Sequence, residues 1–327
     1  MKIVKKYLKR KYLDFGIYSI FREINRSPRV LFWHGVSNEC SSIVEAENIK
    51  FEVFKSQILY LKNKFEIISI EEYRDRLHLN CFTKKEVVLT FDDGYKNNLS
   101  VVAPYLSDLK IPFTVFITTN NINHNLLFPT SIIRLIIFGS QLKEIDIPSI
   151  KIKTKILDFE SKKYFAGKIS ELIKTLPLQE VKNVCDELIS NISTSEMNDL
   201  IFKYSSILPM NWDDVEKLKN YNCTIGSHCL DHICCHKNQE KEEIKFQITE
   251  SKKVIENKLK LKCNFFAYPN GDFHEFSDNC VKEAGYDLGF STQRKSVFNK
   301  DINKSSLPRI SVPASLDTLK ILLSLKL

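Results

Sequence analysis

Glu86-Val87-Val88-Leu89-Thr90-Phe91-Asp92-Asp93-Gly94-Tyr95 is the stretch on which the reading of this chain turns. Its apolar, β-branched start reads as a buried strand. Two carboxylates and a glycine follow at once. Asp is poorly suited to a strand interior and Gly ends one, so the pair belongs at the strand's C-terminal end, where a sheet opens to solvent. Neighbours in a strand point to opposite sides, so Asp92 and Asp93 can take different roles. One can hold a metal while the other accepts a proton. The competing reading is a plain Asp-Gly turn, and the surrounding sequence decides between them.

Outward from this stretch, strands and helices alternate. Val30-Leu31-Phe32-Trp33 reads as a first core strand ending in His34-Gly35, which makes His34 a candidate pocket residue. Phe51, Phe54, Ile58 and Leu61 mark one face of a helix. Phe65 to Ile70 is strand-like, and Glu71 to Leu79 reads as a short helix. Beyond the Asp pair, a helix is expected over Asn98–Lys110, bent near Pro104, and a strand over Pro112–Thr118. This rhythm predicts a parallel sheet or barrel, with the chemistry at the C-terminal strand ends.

Residues 120–208 break the rhythm and read as an inserted helical subdomain flanking the site, with Lys151–Ser206 helical. The rhythm then resumes. Asn211 caps a helix that turns Trp212, Val215 and Leu218 inward, and Thr224-Ile225-Gly226 is a short strand. A helix over Lys241–Leu261 and a strand over Cys263–Ala267 lead to Tyr268-Pro269-Asn270-Gly271-Asp272. Leu288–Ser291 and Leu307–Val312 are the last strands, and 314–326 a closing amphipathic helix.

The strand at Thr224 runs into Ser227-His228-Cys229-Leu230-Asp231-His232. His228 and His232 stand four apart, a spacing that on a helical turn sets both imidazoles on one face. Two imidazoles and one carboxylate leave open positions on a metal ion for water and substrate. His236, a further step of four, is read as lying past the site. The same ligand set suits iron oxygenases, but there the carboxylate usually sits two residues from the first histidine. Here a separate strand supplies it, which favours a hydrolase. The Pro-x-Gly turn at Pro269-Asn270-Gly271 exposes backbone N–H groups able to hold an oxyanion.

The chain has 327 residues, 43% hydrophobic and 27% charged, an ordinary globular balance. Its net charge of +8 favours acidic partners such as nucleotide sugars, lipid phosphates or an anionic membrane. The basic residues are scattered, so nucleic acid is not an expected partner. Nine cysteines without a CxxC pair read as reduced thiols in a cytosolic setting. Residues 1–29 form a basic amphipathic segment, suited to packing outside the domain or to peripheral contact with an anionic membrane. It lacks the continuous apolar core of a signal peptide, and no run of about 18 apolar residues spans a bilayer. The expected location is cytoplasmic, at or near the inner membrane surface.

Taken together, Thr90-Phe91-Asp92-Asp93-Gly94, Ser227-His228 with His232, and Phe266-Ala267-Tyr268-Pro269-Asn270-Gly271 resemble polysaccharide deacetylases of the NodB-homology type, carbohydrate esterase family four. Leu31-Phe32-Trp33-His34, Ala284-Gly285-Tyr286 and Trp212 with its helix are similar too. The resemblance covers roughly residues 30–120 and 209–313, within a deacetylase-like domain of residues 30–327. It implies an α/β fold, a distorted (β/α) barrel, and removal of an N- or O-acetyl group from a sugar; the expected cytoplasmic setting and the positive charge would suit a nucleotide sugar or a lipid-linked glycan as that substrate. It further implies Asp93, His228 and His232 as ligands of a divalent metal, usually zinc, and Asp92 as the base that activates water. Asn270 would contribute the oxyanion-holding N–H.

Two departures stand out. The family often has Arg-Pro-Pro-Tyr-Gly where this chain has Ala267 to Gly271, so the arginine that orients the base is missing there. Arg309 on the last strand is the expected substitute. Many members also carry a late Leu-x-His whose histidine is the general acid, and no histidine follows His274 here. The leaving-group proton would then come from His34, His124, Asp92 or water. The competing functions are a non-catalytic glycan-binding scaffold and an amidase acting on non-sugar C–N bonds.

Overall fold

The computed structural model describes residues 28–83, 85–156, 158–292 and 302–324. The basic amphipathic segment therefore lies outside the described residues except for its last two positions. The strands are β1 Arg29–Trp33, β2 Gly35–Ser37, β3 Asn48–Lys50, β4 Glu66–Ile67, β5 Glu86–Phe91, β6 Phe113–Ile117, β7 Glu144–Ile147, β8 Ile152–Lys155, β9 Cys223–Ser227, β10 Phe265–Ala267, β11 Leu288–Ser291, β12 Leu307–Pro308 and β13 Ile310–Ser311. The main sheet runs β12-β11-β10-β9-β6-β5-β1-β13, with β4 beside β5. Every pairing in it is parallel.

The expected single last strand is instead two short ones, β12 against β11 and β13 against β1. Only Arg309 separates them, so one segment edges both ends of the sheet. It must leave one neighbour to reach the other, which breaks the strand and closes the sheet into a distorted (β/α) barrel. Strand alternation sorts the core into two faces. Val87, Leu89 and Phe91 pack outward with Phe54, Ile58 and Leu61 of the helix Phe51–Lys64. Val30 and Val88 share the other cluster with Phe116, Phe265, Phe290 and Leu307. Burying each large apolar side chain contributes about 1.5–3 kcal/mol.

Several local readings shift. The strand expected over Phe65–Ile70 shortens to β4, because Ser69 caps a helix over Ile70–Leu79 by accepting the Glu72 N–H. The helix expected over Asn98–Lys110 starts as a π-turn, Asn98–Val102, before an α-helix over Ala103–Asp108. Asn211 does cap the helix Trp212–Leu218, in a reciprocal capping box with Asp214.

The segment read as helical over Lys151–Ser206 begins instead with β8, which pairs antiparallel with β7 just before it. Ile145 and Ile147 are buried at alternate positions, a strand period that outweighs the charged residues around them. Helices over Phe159–Ile173, Leu178–Ser190 and Thr194–Lys203 follow. Residues 127–207 build a second core around Ile133, Ile136, Ile147, Ile169, Val184 and Leu188, which Val44 also joins. Asn48 and Asn97 tie its far end to the barrel. Asn48 Nδ2 donates to Ser206 Oγ at 3.1 Å, and Asn97 Nδ2 donates to Asn48 Oδ1 at 2.6 Å. Among the described residues, no helix is long and apolar enough to cross a membrane. All nine cysteines are free thiols.

Candidate active site

Sheet register brings the strand ends to one level. Trp33 pairs with Phe91, Ile117 with Ser227, and Ser227 with Phe266. The ladder continues one residue further: Asp92 N–H donates to Trp33 C=O and His228 N–H to Ile117 C=O, both at 2.9 Å. Gly226 makes the close approach of β9 possible, since a Cβ there would stand 2.4 Å from the Phe116 ring. His34, Asp92 and His228 therefore follow directly on β1, β5 and β9.

Asp93 leaves the strand with φ +76°, a left-handed conformation uncommon outside glycine. Gly94 follows at φ +81°. This turn sends the two carboxylates apart. Asp93 Oδ1 lies 3.2 Å from His232 Nε2 and 3.6 Å from His228 Nε2. The three ligand atoms lie within 4.8 Å of one another. This is the one such group of three among the described residues. The expectation of a helical turn carrying the two histidines fails. Residues 228–236 form an irregular loop, with Cys229 at φ +67° and His232 at φ +54°. Backbone reversal at those two residues, rather than helical periodicity, sets the imidazoles 5.0 Å apart. Phe128 of the insert packs edge-on against His232.

The donor set fits a cation. His228 Nδ1 donates to the Ala267 carbonyl at 2.7 Å, which leaves a lone pair on Nε2 facing the carboxylate. Burial pushes the His228 pKa down to about 4, past the opposing pull of Asp92, so the ring is neutral. Asp93 is 4% exposed, and its Oδ1 makes no hydrogen bond of sound geometry among the described residues. Burial would raise the Asp93 carboxyl, but the His232 and His34 rings override it and hold it well below the usual carboxylate range. Acceptors facing acceptors in a dry site are costly unless a cation stands between them.

Asp92 continues the inward face of β5 after Val88 and Thr90, and it meets Arg309 there. The guanidinium donates from Nη1 to Oδ1 and from Nη2 to Oδ2, both at 2.7 Å, and Nη1 also reaches Thr90 Oγ1 at 3.2 Å. Its plane stacks on Phe32, 4.6 Å from the ring centre. Burial would raise the Asp92 carboxyl, but the charge and hydrogen bonds of Arg309 keep it below its ordinary value. The substitute arginine therefore comes from the break between β12 and β13.

His34 is half-buried, with Nδ1 3.7 Å from Glu47 Oε2. Burial opposes its charge, but Asp93, Glu47 and Asp92 outweigh that and raise its pKa. Glu47 carries no motif and was invisible in the sequence; only the loop joining β2 to β3 brings it to His34. Asn270 takes φ +54° in the turn after β10, and its side-chain amide donates to Cys234 Sγ at 2.8 Å. His124 is exposed at the end of the helix Thr119–His124. His236 stays outside the Asp93 group, accepting the Asn238 N–H at Nδ1.

With this geometry established, the comparisons with known proteins are specific. The polysaccharide deacetylase family model matches residues 80–148 and 176–289, and the chain belongs to that family. The fold is similar to that of IcaB from Ammonifex degensii, at TM-score 0.59 and 16% identity, covering 92% of this chain and 98% of that one. It is similar to the Streptococcus pyogenes deacetylase PplD, solved with acetate, at TM-score 0.56 and 16% identity over 89% and 96% of the two chains. A de-N-acetylase from Aggregatibacter actinomycetemcomitans matches at TM-score 0.54 and 16% identity, over 88% and 95%. No curated protein matches the chain by sequence.

Proposed function

We propose that this chain is a metal-dependent carbohydrate deacetylase, hydrolysing an N- or O-acetyl group on a sugar or glycan precursor. The observation that carries the reading is the convergence of Asp93, His228 and His232 beside an Asp92 locked by Arg309. A non-catalytic scaffold has no use for a buried carboxylate held ionised next to a ligand set. The net charge of +8 supports an acidic or lipid-linked substrate.

Asp93 Oδ1 and the Nε2 atoms of His228 and His232 would hold the ion, and zinc suits two imidazoles and one carboxylate. When bound, the ion supplies Lewis acidity that makes water nucleophilic near neutral pH and polarises the acyl carbonyl. Arg309 fixes the Asp92 carboxylate, and each of its oxygens keeps a second lone pair. Asp92 accepts the proton of the attacking water. The Asn270 backbone N–H steadies the oxyanion. His34, with Nδ1 turned to Glu47, gives a proton from Nε2 to the leaving nitrogen or oxygen. This fills the role left open by the absent late histidine. The C–N or C–O bond breaks, and acetate and the free amine or hydroxyl depart.

The test is metal content with acetate release from acetylated sugars. The intact protein is expected to hold about one divalent ion. Asp93→Ala should lose both the ion and the activity, and stoichiometric metal retained in that variant would overturn the ligand assignment. Asp92→Asn should keep the metal and lose about 10²–10⁴-fold in rate.

A further inference from the structure

A cavity of about 530 Å³ lies between the insert and the loop that follows β9. That is the size of a small-molecule site and far more than one acetyl methyl needs. Its walls include Ile132, Ile173, Val181, Ile189, Met197 and Ile201, from four helices of the insert. At the barrel end it reaches His232 and Asn270.

Several polar groups around it are already engaged by the protein, while Asn125, Thr130, Lys174 and Asp186 also line it. Asn121 Nδ2 donates to the Leu126 carbonyl at 2.9 Å. Gln239 accepts the Leu178 N–H at 3.0 Å and donates to the Leu176 carbonyl at 3.2 Å. Asp231 accepts from Gln247 Nε2 at 2.6 Å and Asn120 Nδ2 at 3.0 Å, with Lys182 Nζ at 3.6 Å. Against the aliphatic walls a sugar ring would lose water without replacing its hydrogen bonds, a net cost. An alkyl chain gives up only rotor freedom there and gains apolar burial.

The cavity's place relative to the site says which end of a substrate carries that chain. His232 and Asn270 are the groups the proposed mechanism sets around the acyl carbonyl. His34, which serves the leaving group, and Asp92 do not line the cavity. The substituent facing it is therefore the one on the carbonyl carbon. Resting on the deacetylase reading above, we propose that the same site also removes acyl groups longer than acetyl: an unbranched fatty acyl chain on a sugar nitrogen or oxygen, housed in the insert. Water adds its oxygen to the carbonyl carbon, the C–N or C–O bond breaks, one proton goes to the leaving atom and the other is released through Asp92, giving a fatty carboxylate and the free sugar amine or hydroxyl.

The test uses the full chain loaded with zinc and two series of the same alkyl length. One series is N-acetyl- to N-octanoyl-glucosamine; the other places the alkyl chain on the anomeric oxygen of N-acetylglucosamine. In the acyl series, kcat/KM should rise about threefold or more per methylene over the first few. Ile201→Trp, and the milder Met197→Phe, should return octanoyl turnover to the acetyl level while acetyl release stays unchanged. A flat or falling acyl series overturns the proposal. So does a chain-length effect confined to the glycoside series, which would assign the cavity to a lipid anchor, or variants that slow acetyl and octanoyl release alike. If no acylated sugar is hydrolysed, the deacetylase reading fails on its own account. Calorimetric binding of octanoate in the presence of chelator still tests the cavity: binding lost in Ile201→Trp supports it, and no binding refutes it.

Discussion

At the strand ends of the barrel, the buried side chains that matter are charged or polar: Asp92, Asp93, His228 and Arg309. In the insert, residues 127–207, the buried side chains are almost all aliphatic. The two regions bury groups for different reasons. Apolar burial is non-directional and roughly additive in area, so many residues can serve. Buried charge survives only when each group meets a specific partner at the right distance. The barrel ends should therefore be brittle and the insert core forgiving.

Arg309→Met is the largest test of that contrast. It leaves Asp92 buried without its counter-charge, and loss of one partner of a buried pair costs about 3–5 kcal/mol. Urea unfolding should show a drop of that order, and acetate release should fall with it. A loss below about 1 kcal/mol would mean the barrel end tolerates substitution as the insert does.

A second test uses pH on chelator-treated protein. Burial holds the His228 pKa down to about 4, whereas an unfolded histidine titrates near 6.5. Between those values the unfolded chain binds a proton that the folded one refuses. Stability is therefore full above about pH 6.5 and declines as pH falls towards 4, by about 3 kcal/mol from this residue. Asp92 and Asp93, held below the ordinary carboxylate range, contribute stability above their unfolded pKa that is lost as pH falls through their folded values. His34 works the other way, since its raised pKa stabilises the acid side and the effect fades as pH rises through its folded value. Urea midpoints at pH 7 and 4.5 measure the balance, and His228→Asn should flatten the slope above pH 4.

The smallest effect belongs to the insert. Ile169→Val removes one methylene from a fully buried position and should cost about 0.5–1.5 kcal/mol. Metal content and acetate release should not change. A change in either would tie the insert core to the barrel end more closely than the separate apolar clusters suggest.

Much of the barrel was legible because its cues are local. The runs Val30–Trp33 and Glu86–Leu89 are strands in any surroundings that bury them, and Asp92-Asp93-Gly94 marks a strand end by composition alone. The loop with His228 and His232 was harder. A spacing of four reads as a helix, yet two left-handed residues bring the same rings together without one. Nothing in residue types announces positive φ at Cys229 or His232. The hairpin of β7 and β8 was hidden by lysines and glutamates that mask the alternation of Ile145 and Ile147. Glu47 beside His34 had no signal at all, since the partner is more than ten residues away on an unremarked loop.

The order of strands and helices, the position of the Asp pair and the presence of an apolar insert follow from residue type and period, which act over a few neighbours. That Arg309 would grip Asp92 across 217 positions of chain depended on the sheet closing. Barrel closure forces the last strand to change neighbours at that residue, and long-range pairing of this kind is written in packing geometry rather than in any local run of side chains.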